Sequence, residues 1–80
     1  METVETVYVL IKTKPTLIEP VLKALQAVPS VVEARAVTGA WDIVLRLEKD
    51  YITDALAVVV KDIRSVEGIE ATETLVAVNL

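Results

Sequence analysis

The sequence predicts an α+β fold, with four strands and two helices in the order β-α-β-β-α-β. Three observations predict it. Apolar runs of strand length recur along the chain. Two stretches with a helical stripe interrupt them, one after the first run and one after the third. The two halves also echo each other: Val28-Pro29-Ser30-Val31 and Val66-Glu67-Gly68-Ile69 each leave a helix and enter a strand.

Thr6 to Thr13 forms the first strand, with Val7, Val9 and Ile11 on one face and Tyr8 and Leu10 on the other. Lys14-Pro15 breaks it. Thr16-Leu17-Ile18-Glu19 matches a capping box, so a helix starts there. Pro20 is tolerable only in that first turn. Ile18, Val21, Leu22, Leu25 and Val28 make one helical stripe, and Pro29-Ser30 ends it. Val31 to Thr38 and Asp42 to Glu48 are the next two strands, joined as a hairpin through Gly39. Tyr51 to Arg64 is ambiguous, because Val58-Val59-Val60 is β-branched and suits extended chain. Its length, and the stripe Ile52, Ala55, Leu56, Val59 and Ile63, favour a helix. Ser65 to Gly68 stops it, and Ile69 to Val78 is the last strand.

This order is the split β-α-β, or ferredoxin-like, sandwich. Right-handed crossovers put both helices on one face of an antiparallel sheet, in the strand order 4-1-3-2. A sheet with one face in water should alternate apolar and polar residues. These strands do not: Tyr8 and Leu10 oppose Val9 and Ile11, and Val44 opposes Ile43 and Leu45. The face without helices is therefore expected to pack on a second copy of the chain.

Composition narrows the function. Eighty residues make one domain, residues 1–80. A chain this short buries only about 62% of its extended-chain surface. Yet 54% of its residues are apolar and the mean hydropathy is +0.55, more apolar surface than one small core uses. Cysteine and histidine are both absent. That excludes disulfides, thiol nucleophiles and Ser-His or Cys-His pairs, and nothing in the spacing asks for a metal or cofactor. The net charge of −4 disfavours nucleic acid as a direct partner. No apolar run reaches the ~18 residues of a transmembrane helix. The acidic start Met1-Glu2-Thr3-Val4-Glu5 lacks the basic residues of a signal peptide, so the cytoplasm is the expected location.

Two segments are left to carry chemistry. In Thr38-Gly39-Ala40-Trp41-Asp42, a left-handed Gly39 could turn backbone amides into an anion cup, and Asp42 could hold an ammonium. Together they would suit a zwitterion. The simpler account is a hairpin turn in which the aspartate bonds its own backbone, and spacing alone leans that way. Trp41 reads first as a packing anchor. Thr72 and Thr74 share one strand face, where two hydroxyls could donate to a carboxylate or simply mark a half-exposed edge. No pair of carboxylates stands out as acid and base, so an enzyme is not expected.

At this point the chain resembles a known family. Val9-Leu10-Ile11-Lys12-Thr13, Val31-Val32-Glu33-Ala34, Val37-Thr38-Gly39-Ala40-Trp41-Asp42-Ile43-Val44, Ile63-Arg64-Ser65-Val66-Glu67-Gly68-Ile69 and Thr72-Glu73-Thr74 together resemble the RAM domain of the Lrp/AsnC, or feast/famine, transcription regulators. The resemblance covers nearly the whole chain. It implies a dimeric α+β barrel joined through the sheets, further assembly into rings such as octamers, and a free amino acid bound between dimers. By similarity, the ligand residues fall on Thr38, Gly39, Ala40, Trp41 and Asp42 and on Thr72 and Thr74. Two departures stand out. Trp41 occupies a position where the family often has tyrosine, and the chain begins at its first strand, without the family's helix-turn-helix. The expectation is a stand-alone sensing module that binds no DNA itself and has a full-length regulator as a candidate partner. A ligand-free ACT-like interaction module is the alternative.

Overall fold

A computed structural model describes residues 3–80, and the acidic start at Met1-Glu2 lies outside them. The elements are β1 (Glu5–Thr13), α1 (Ile18–Gln26), β2 (Val31–Ala36), β3 (Ile43–Lys49), α2 (Ile52–Val58) and β4 (Ile69–Val76). The strands form one antiparallel sheet in the order β2-β3-β1-β4, the ferredoxin-like arrangement expected from the sequence.

The alternation in β1 decides which face is which. Val7, Val9, Ile11 and Thr13 are buried beneath the helices, as are Ile43, Leu45 and Leu47 of β3. The helices close this core with Val21 and Leu25 from α1 and Ala55 and Val58 from α2. The α1 stripe is the one expected, since Ile18, Leu22 and Val28 flank it half-buried.

Two local expectations need correction. Thr16 does not cap a helix: Pro15–Leu17 is a 3-10 turn, and no side chain caps either it or α1. Pro15 supplies the pre-set backbone for that turn, so the α-helix starts at Ile18, one residue later than the capping-box pattern implies. The second helix is helical, but not α throughout. A π turn, Val59–Ile63, follows α2, closed by the Arg64 N–H donating to the Val59 carbonyl at 2.9 Å. With α geometry, Ile63 would lie about 80° around the helix from Ala55; a turn of about 4.4 residues brings it back in line. Ile63 is accordingly fully buried, Val58 enters the core, and Leu56 stays 38% exposed.

Gly68 joins this end of the molecule to the other half. Its φ is +102°, and an added Cβ would lie 2.9 Å from Val21 Cγ2 and 3.0 Å from Leu17 Cδ1. Its carbonyl accepts from the Lys14 N–H at 2.9 Å. Only glycine meets both demands, the left-handed backbone and the close approach to α1.

The face without helices is apolar only along a band. Cross-strand pairing groups Tyr8, Leu10, Val44 and Leu75 there, since Tyr8 pairs with Leu75 and Leu10 with Val44. The same pairing places Glu73, Arg46 and Arg35 on this face too. Arg35 bonds Glu33, and Arg46 bonds Glu48. The band is thus rimmed by charge, where the sequence alternation had implied an apolar centre on both faces.

Candidate functional site

The hairpin between β2 and β3 places Thr38, Gly39 and Ala40 in solvent, with Trp41 and Asp42 half-buried behind them. Gly39 has φ +114°, and a Cβ there would meet nothing, so only the backbone conformation asks for glycine. Three bonds hold the loop. The Val37 N–H donates to the Asp42 carbonyl at 2.9 Å, the Asp42 N–H donates to the Ile11 carbonyl at 2.9 Å, and Lys12 Nζ donates to the Ala40 carbonyl at 3.2 Å.

Asp42 has a role that spacing did not reveal. Its Oδ2 accepts the Thr13 N–H at 2.9 Å, so the carboxylate ties the hairpin to the end of β1 and does not bond its own turn. The pairing of β1 with β4 shifts register between Lys12 and Thr13, and the Asp42 carboxylate receives the Thr13 amide at that irregularity. The adjoining Thr13 is 2% exposed, and its hydroxyl has no hydrogen-bond partner among the described residues.

Thr72 and Thr74 pair with Ile11 and Val9, which puts them on the helix-covered face at the β4 edge. Both are half-buried, and they line an open groove of about 730 Å³ between β4 and α2 with its π turn. Leu56, Val60, Arg64 and Glu70 line the same groove. Sequence reasoning had not singled out these four as neighbours of the threonines. Arg64 entered the sequence reading only within the family-like stretch Ile63 to Ile69, with no role assigned to it, and the π turn that sets its position left no recognisable signal.

The two candidate segments do not meet within one chain. Asp42 continues β3 on one side of β1, and Thr72 pairs with Ile11 on the other. Strands spaced ~4.8 Å apart put them roughly 10 Å from each other, with the fully buried Ile11 between.

The chain is thus a small α+β sandwich with an open sheet face, a glycine-to-aspartate hairpin and a threonine-bearing edge strand. A family model for the Lrp/AsnC ligand binding domain matches residues 6–79, and the chain belongs to that family. Among solved structures it is similar to TTHA0845 from Thermus thermophilus, at 33% identity over 95% of each chain with a TM-score of 0.89. PHS023 from Pyrococcus horikoshii is 29% identical over 98% of this chain and 93% of that one, with a TM-score of 0.86. E. coli AsnC shares the fold at 23% identity and a TM-score of 0.87, and the chain spans 52% of its length. A comparison with curated proteins finds no match. No helix among the described residues is long and apolar enough to cross a membrane.

Proposed function

We propose that this chain is an amino-acid-sensing regulatory module of the cytoplasm. In this reading it catalyses no reaction and binds no DNA of its own. It dimerises through the open sheet face and assembles further into a ring such as an octamer, alone or with a full-length Lrp/AsnC regulator. The observation that carries this is the open face itself, with Tyr8 on a central strand and Leu75 on the β4 edge left 38% and 42% exposed. Its charged rim is self-complementary, since Glu33, Arg35, Arg46 and Glu48 supply both signs within one patch.

The ligand site in this reading is composite. Asp42 and Thr72 are separated by β1, so Thr38, Gly39, Ala40, Trp41 and Asp42 come from one subunit and Thr72 and Thr74 from a neighbour. The hairpin amides and Asp42 then face the threonine hydroxyls across a contact between dimers. Calorimetry against the twenty amino acids tests it. Asp42→Asn is the useful variant, because its amide oxygen can still accept the Thr13 N–H while the charge is gone. Heat from at least one amino acid, weakened about tenfold or more in Asp42→Asn, is expected. Silence from all twenty overturns the sensing role.

A second reading has one observation in its favour. The Asp42 carboxylate already has a structural partner in the Thr13 N–H. That suits a ligand-free interaction module, and an assembly whose size ignores amino acids would support it.

A further inference from the structure

The groove under α2 holds more chemistry than its two threonines. Arg64 lies at its end, where its own backbone N–H closes the π turn. The ion pairs found among the described residues join Glu33 to Arg35 and Arg46 to Glu48, so Arg64 is in neither. Glu70 lines the same groove without pairing to it. The hydroxyls of Thr72 and Thr74 make none of the side-chain hydrogen bonds found among the described residues. Beside them stand Leu56 and Val60, 38% and 59% exposed, on a helix whose opposite flank is in the core.

We propose that Arg64 anchors the carboxylate of the ligand in this groove, which takes a monocarboxylate with an aliphatic body. This rests on the reading of Thr72 and Thr74 as ligand contacts. A guanidinium with no partner among the described residues receives a carboxylate through charge-assisted, bidentate hydrogen bonds. The threonine hydroxyls supply further donors to the same group. Leu56 and Val60 offer the apolar wall that fixes the rest of the molecule, as small-molecule sites require. Glu70 sets the limit on the class: a second carboxylate would meet a like charge in the same groove, so dicarboxylic ligands are rejected.

The test is calorimetry with L-valine, L-valinamide and L-aspartate on the wild type, Arg64→Met and Arg64→Lys, each checked by thermal melting. Arg64→Met keeps the apolar stem and removes the charge. Expected are binding of L-valine, no heat from L-valinamide or L-aspartate, and at least about a tenfold loss of L-valine affinity in Arg64→Met, partly restored in Arg64→Lys, at unchanged melting temperature. Equal L-valine affinity in wild type and Arg64→Met overturns the anchor while leaving amino-acid sensing intact, and equal binding of L-valinamide does the same. A wild type that binds only polar or acidic amino acids overturns the ligand class. A wild type that binds none of the twenty overturns this inference together with the sensing role.

Discussion

Thr13 and Gly68 show how single residues set the local structure at the end of β1. The Thr13 hydroxyl is buried without a partner among the described residues, which costs the desolvation of a polar group and returns no bond. Valine has nearly the same shape and no hydroxyl to satisfy. Thr13→Val is expected to stabilise the fold by roughly 1–2 kcal/mol, read as a higher urea midpoint with an unchanged slope. A lower midpoint would mean that the hydroxyl has a partner after all. The glycines are not equivalent. Gly68→Ala adds a Cβ 2.9 Å from Val21 Cγ2 on a left-handed backbone, whereas Gly39→Ala faces open space. The first is expected to cost roughly 2–4 kcal/mol and the second about 1 kcal/mol. Equal urea midpoints for the two variants would contradict the close approach of Gly68 to α1.

At the scale of elements, the second helix is the informative one. Its sequence carries a helical stripe and a β-branched run at once, and the conflict is resolved by widening one turn. Val59 and Ile63 both reach the core because the π turn corrects the drift of the stripe. The predicted stripe included Leu56, but that residue ended on the groove flank while Val58 entered the core. Truncations should separate the two positions. Ile63→Ala is expected to cost roughly 2–5 kcal/mol, while Leu56→Ala, exposed at the groove, should cost under about 1 kcal/mol. Thermal melts of the pair check this, and a larger loss for Leu56→Ala would rule out the π geometry. The β2–β3 hairpin teaches a related lesson. Its aspartate was legible as a turn residue, yet the bond it makes is to Thr13, a residue 29 positions away in sequence.

For the whole molecule, exposed surface is the governing quantity. The chain shows 5386 Å² to solvent, where a compact monomer of its mass would show about 4,700 Å². Part of that excess is the open sheet face, with Tyr8, Leu10, Val44 and Leu75 in its central band. Burying such a band against a twin is the simplest way to cover it. Leu10→Asp places a charge at its centre, opposite Val44 and Glu73, and should cost the helix-side core little. Sedimentation at micromolar concentration should show the wild type as a dimer or larger, and Leu10→Asp as a monomer with native circular dichroism. A wild type that sediments as a monomer would refute the sheet-to-sheet contact.

The element order, the antiparallel strand order and the buried faces of β1, β3 and α1 were legible from residue types alone. Hydrophobic periodicity is a local property, and burial follows it directly. The hairpin and Thr72-Glu73-Thr74 were likewise marked by composition. The strand order set them on either side of β1, but their side-chain partners were not legible, because those depend on packing and register. Only the fold tied the Asp42 carboxylate to Thr13, lined the groove beside α2 with the threonines, and set Arg64 in that groove. Contacts between residues distant in sequence come from packing and register, and in this chain those decided everything about the site beyond the identity of its residues.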